Sequence, residues 1–237
     1  MWAYVAFCAA PLLALGLHAL GATDVWVWVA DPLKNSLVVS LLSATLITLV
    51  GIVLGHRLLR GMVGAGSLDA VAMFGFVTPA SVLGTGIVAA WNRPELQWAY
   101  TSVVILVLGL SARYAVIGVR MIAAVMGRHS PNLEDAARVS GAGCLRPLFL
   151  LMTPLNLRAI VAVWLVVLLF CLRDLETLTG FYPPGHETLP IRIFTLEANG
   201  SPSLVAALAM IHVCLTAGVM GVAWFVSASW SHVWSQR

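Results

Sequence analysis

Long apolar runs separated by short polar stretches dominate the chain, and six of them approach the length of a bilayer crossing: Trp2 to Leu20, Leu37 to Leu54, Ala70 to Trp91, Thr101 to Val119, Leu157 to Leu172 and Leu204 to Val226. A helix needs about 20 mainly apolar residues to cross the hydrocarbon. The runs are apolar on every face, whereas strands of a membrane barrel alternate over short segments. Asp31-Pro32, Asn92-Arg93-Pro94, Pro183-Pro184-Gly185 and Gly200-Ser201-Pro202 fall between runs, where turns belong. The pattern predicts an all-α membrane protein of six transmembrane helices, with residues 1–237 forming a single transmembrane domain.

Composition agrees: 60% of residues are hydrophobic and 10% charged, too few polar groups to cover a water-soluble domain of 237 residues. The lipid bilayer is therefore an expected partner. The net charge of +3 is small and scattered, which excludes a clustered nucleic-acid-binding face. Cys8, Cys144, Cys171 and Cys214 show no ligand spacing, and no HxxxH or HExxH occurs, so no metal site is expected. Gly51 and Gly55 form a GxxxG suited to close helix packing.

The basic residues suggest an orientation, because cytoplasmic loops carry the excess of Lys and Arg. With the N-terminus inside, cytoplasmic segments hold Arg57, Arg60, Arg120, Arg128, Arg138, Arg146, Arg158 and Arg237, against Lys34, Arg93, Arg173 and Arg192 outside. Both termini are then cytoplasmic. A cytoplasmic loop runs over about 121–156 and an external loop over about 173–203. The Met1 to Gly21 run lacks a basic n-region and reads as a first span rather than a cleaved signal.

One loop carries more than polarity. Ser130 and Asn132 are N-cap types, Pro131 suits a first turn, and Glu134 and Asp135 sit near the positive end of the dipole of a short surface helix. Ala136 and Ala137 give that helix a small smooth face, and Gly141 a sharp exit. The segment resembles the EAA loop of binding-protein-dependent ABC importer permeases. Asp135-Ala136-Ala137 takes the place of E-A-A, Gly141 the glycine, Leu151 the isoleucine and Pro154 the proline. Asp for Glu keeps the charge, and Thr153 replaces the usual Leu. The resemblance extends to Asn35-Ser36-Leu37, Pro79, Leu83-Gly84-Thr85-Gly86 and the segment from Tyr182 to Ile193, which looks most like the iron(III)-type permeases.

This resemblance implies a type I ABC importer permease fold in the cell inner membrane. Glu134, Asp135, Ala136, Ala137, Arg138, Gly141 and Pro154 would then couple the chain to an ABC ATPase subunit. The other implied partners are a second permease half and an extracytoplasmic solute-binding protein. The chain itself would hold no cofactor and catalyse nothing: its lone lysine, Lys34, stands outside any P-loop pattern, which leaves ATP to the partner subunit. Iron(III) is the first expected solute, with thiamine, aminoethylphosphonate and polyamine as alternatives. An intramembrane enzyme or passive channel would be the reading from another class; no carboxylate lies well inside an expected span to supply an enzyme's acid or base.

Ionisable residues near the spans are the candidate pathway or gate. Arg113, expected one to two turns from the cytoplasmic end of the fourth helix, reads equally as an anchor reaching the headgroups or as a pathway residue. Arg173, Asp174 and Glu176 read first as a solvated helix end with a local ion pair, and alternatively as an outer gate.

Overall fold

The computed structural model describes residues 2–130, 132–133, 139 and 146–234, and among them every regular element is helical. The main helices are α1 (Trp2–Ala19), α2 (Val25–Leu59), α3 (Ala65–Val77), α4 (Ala80–Trp91), α5 (Val103–Met126), α6 (Leu157–Arg173), α7 (Leu189–Asn199) and α8 (Pro202–Trp234). Three helical stretches, Val25–Leu59, Val103–Met126 and Pro202–Val226, are long and apolar enough to cross a membrane, or up to five if each of two bent pairs is one span. Among the described residues, length and composition therefore give three to five spans, where six are expected.

The differences from the expected runs have local causes. The second helix starts at Val25 rather than Leu37 and carries Pro32 inside it, so Asp31-Pro32 is no turn. In a membrane helix neighbouring groups can take over the hydrogen bond that proline removes. The third run, expected as one helix from Ala70 to Trp91, is instead α3 and α4, bent by 112°. Pro79 lacks an N–H and biases its predecessor away from helix, and Thr78 accordingly sits at φ −61°, ψ 130°. The fourth helix continues past Val119 to Met126. Short helical turns over Leu148–Leu155 meet α6 at 77°, with the exposed Pro154 at the bend.

At the centre α2 packs along α5 more extensively than any other pair, and α6 covers both. Glycines allow the approach. A Cβ at Gly55 would lie 2.6 Å from the Val119 carbonyl oxygen, and one at Gly51 would lie 2.9 Å from the Gly118 carbonyl carbon. Around this seam Ile47, Ile105, Leu106, Leu110, Ile122 and Met126 are fully buried. The periphery is the reverse: Trp26, Phe74, Trp98, Trp224 and Phe225 are all at least two-thirds exposed, as expected of a face turned to lipid.

The segment after α6 departs most from expectation. Within the stretch expected as an external loop, about 173–203, Asp174, Thr177, Leu178, Phe181, Thr188 and Leu189 are buried. Phe181 fills a notch at Gly109 on α5 and lies 3.6 Å from a Cβ built at Gly84 on α4. Asn35 Nδ2 donates to the carbonyls of Gly185 (3.0 Å) and Glu187 (3.1 Å), and the Leu189 N–H donates to Ser36 Oγ at 2.6 Å. Those bonds and Phe181 stitch the segment to α2, α4 and α5 before α7 begins.

Candidate functional site

The break between α3 and α4 frees backbone groups in apolar surroundings, and a freed carbonyl there needs a donor. Arg113 supplies it: its Nη1 donates to the Thr78 carbonyl at 3.3 Å. The same guanidinium lies 3.7 Å from Asp174 Oδ2 and 3.9 Å from Glu176 Oε2. Asp174 caps the end of α6, and its side chain is only 2% exposed. A buried carboxylate must be paired and hydrogen-bonded to be tolerated. Tyr114 Oη donates to Asp174 Oδ2 at 2.6 Å, Thr177 Oγ1 donates to the same oxygen at 2.7 Å, and the Thr177 N–H donates to Oδ1 at 2.9 Å. Five groups from three segments of chain are held by one carboxylate and one guanidinium.

Two sequence-based expectations are corrected here. Arg113 does not sit near the end of its helix: α5 runs on to Met126, which leaves Arg113 about 20 Å from that terminus at 1.5 Å per residue. Nor do Arg173, Asp174 and Glu176 form a local ion pair at a solvated helix end. The cation that pairs with the two carboxylates is Arg113, Asp174 is buried, and Arg173 has no ion-pair partner among the described residues. Proximity in sequence misled; the pairing partner lies some 60 residues away on α5.

Beside the network runs a groove. A cleft of about 390 Å³ is lined by Tyr114, Val166, Leu169, Phe170 and Arg173. A second, of about 240 Å³, shares Val166 and continues along Val163, Ala162, Ala159 and Arg158 of α6 to Met121, Val125 and Arg128, with Val226 of α8 at its side. Arg158, Ala162, Val166, Leu169 and Arg173 recur every three or four residues and so occupy one face of α6. The wall between its ends is mainly apolar, arginines stand at both ends, and among the described residues no carboxylate lines it. Arg173 to Arg158 spans about 22 Å of helix.

At the Met126 end of α5 a separate contact joins the flanks of the expected coupling loop: His129 Nε2 is 3.0 Å from Asn156 Oδ1, and Asn156 Nδ2 donates to the Met152 carbonyl at 2.8 Å. The coupling residues Glu134, Asp135, Ala136, Ala137, Arg138 and Gly141 lie outside the described residues. Missed in the sequence were Thr78, Tyr114 and Thr177 as members of one network; the signal available was Pro79 interrupting an apolar run. Among the described residues no cluster of His, Cys, Asp or Glu could hold a metal ion.

Comparison with known proteins supplies the class. A permease protein named for a 2-aminoethylphosphonate transport system, from Salmonella paratyphi A, is 28% identical over 141 residues, covering 58% of this chain and 52% of the relative. The spermidine/putrescine transport system permease protein of Haemophilus influenzae is 25% identical over 202 residues, 84% of this chain and 76% of the relative. The chain is similar to transport-system permeases. The putrescine transport system permease protein of Escherichia coli is 31% identical over 98 residues, 41% of this chain and 34% of that protein. The match therefore spans about half the length of the Salmonella relative and a third of the Escherichia coli one. No family model matches the chain. The relatives are permease proteins of transport systems, and together with the long apolar helices they point to a multi-pass membrane protein. They are named for aminoethylphosphonate and polyamines, and give the expected iron(III) branch no support.

Proposed function

We propose that this chain is the membrane-spanning permease subunit of an ATP-driven ABC importer, in which the groove along α5 and α6 forms its half of the solute path. The observation that carries this reading is the helix broken at Thr78-Pro79, whose freed carbonyl is held by Arg113 together with the buried Asp174. Irregular backbone at membrane depth is tolerated where protein buries it or where it lines a cavity, and transporters build solute sites from such interrupted helices. Similarity over 84% of the chain to a polyamine permease agrees with it.

The motor is a separate ATPase chain, docked on residues 134–141 and on the turn that carries Pro154. A second permease half completes the path, and an extracytoplasmic binding protein delivers the solute. Both termini are cytoplasmic, by the distribution of arginines. Among the solutes considered from sequence, aminoethylphosphonate and polyamines now stand ahead of iron(III), because the relatives carry those names.

The test is coupling. In proteoliposomes holding the assembled complex, Gly141→Trp, or Glu134→Lys with Asp135→Lys, is expected to abolish solute-stimulated ATP hydrolysis and co-purification of the ATPase, while the membrane domain keeps its thermal midpoint. Normal coupling in both variants would refute the docking assignment.

A further inference from the structure

The charge of the groove bears on what passes through it. Arg173 stands at one end and Arg158 and Arg128 at the other; all three are exposed, and none has an ion-pair partner among the described residues. At the Arg173 end two carboxylates, Asp174 and Glu176, follow directly in sequence. Asp174 is buried behind the lining with its oxygens taken up by Tyr114 and Thr177, and both carboxylates face Arg113. The excess of positive residues on the cytoplasmic side of membrane proteins accounts for unpaired arginines at one end of a groove but not at both. Apolar walls of low dielectric focus the field of such charges along the space between them.

We propose that the solute carried past this face is a small oxyanion of the phosphonate or phosphate class. This rests on the permease reading above and deepens it. The planar guanidinium fork matches a tetrahedral oxyanion through paired N–H donors. Two such stations about 22 Å apart along α6, with only apolar wall between, offer binding at entry and exit without a deep well midway. A polyamine, carrying several positive charges, meets like charge at both ends and no carboxylate among the described lining residues. The alternatives left by the relatives are thereby separated: the aminoethylphosphonate branch fits the groove and the polyamine branch does not.

The field can be read directly with charged thiol reagents. Leu169→Cys is made in a chain with Cys8, Cys144 and Cys214 changed to Ser, leaving the buried Cys171, and is assembled with its ATPase and second half in lipid. Rates of modification by the anionic sulfonatoethyl and cationic trimethylammonioethyl methanethiosulfonates are each divided by the rate with a free small thiol. The anionic reagent is expected to be favoured about tenfold, the equivalent of about 1.4 kcal/mol. Arg173→Gln should bring the ratio toward unity and Arg173→Lys should restore it. A ratio at or below unity, or one that neither Arg173→Gln nor Arg158→Gln changes, overturns the anion assignment and leaves the permease reading intact. A Leu169→Cys thiol inert to both reagents shows that the groove holds no water, and then the path assignment falls and the anion with it. ATP-driven uptake of putrescine without uptake of inorganic phosphate or 2-aminoethylphosphonate would also overturn the proposal.

Discussion

Asp174 concentrates the polar chemistry of the protein in one side chain. Replacing it by Ala leaves the Tyr114 hydroxyl and both donors of Thr177 without their common acceptor and the Arg113 guanidinium without its buried counter-charge. Breaking a buried pair by removing one partner costs about 3–5 kcal/mol, whereas replacing both by apolar groups is often nearly neutral. Asp174→Ala should therefore lower the thermal midpoint in detergent markedly, and Arg113→Met with Asp174→Leu should recover much of the loss. A double variant no more stable than Asp174→Ala would show that the carboxylate matters for reasons other than its charge. Tyr114→Phe removes one hydrogen bond to a charged acceptor and should cost about 1.5–3 kcal/mol, read from the same melting curves. If the network also shapes the path, transport by Tyr114→Phe should fall further than its stability does.

Among the elements, the glycine seam between α2 and α5 is the most demanding. A Cβ at Gly55 would be driven against the Val119 carbonyl oxygen, which belongs to a helical backbone and cannot swing aside. Overpacking of this kind costs about 1–3 kcal/mol, so Gly55→Val should reduce the yield of folded protein and its melting temperature. The same change at Gly86, where a Cβ meets nothing within 4 Å, should leave both unchanged. In the N-terminal half of α2, Asn35→Ala should leave the helix in place but loosen the Pro183–Thr188 segment, seen as faster protease cleavage near Gly185; cleavage at the parent rate would mean that Phe181 and the Ser36 bond suffice to hold the segment.

Sequence periodicity captured the helices well and their breaks poorly. Apolar runs state which residues avoid water, and every main helix except α7 overlaps one, though α2 begins twelve residues early and the third run is split into α3 and α4. Whether Pro32 or Pro79 interrupts a helix depends on whether neighbours take over the lost hydrogen bond, and that is a tertiary matter. Pro32 was read as a turn and is inside a helix; Pro79 was read as inside a helix and is at a break. The GxxxG of Gly51 and Gly55 was legible because close approach needs small residues at that spacing; the structure adds the partners, Gly118 and Val119. Arg113 was singled out for its cost in hydrocarbon, but its partner on another helix could not be read from spacing. Arg173 and Asp174 adjoin in sequence and part company in space, one lining the groove and the other buried behind it.

For the whole molecule, the fold separates a helix-packed core from a face left open. α2, α5 and α6 bury one another, while the groove side of α6 presents Arg158, Val166, Leu169 and Arg173 outward. In an assembled importer that open face would meet the second half, and two grooves would make one path. The Asn35 and Ser36 bonds to 185–189 give this arrangement a mechanical property. From Asn35 to Leu59 α2 is an uninterrupted rod of about 37 Å, fastened to that segment at Asn35 and Ser36 and clamped against α5 by Gly51 and Gly55 toward its Leu59 end. A rod so fixed carries thrust along its axis and yields little sideways. Pressure on the Pro183–Thr188 segment is therefore shared between α2, which carries it toward Leu59, and the Phe181 seat on α4 and α5.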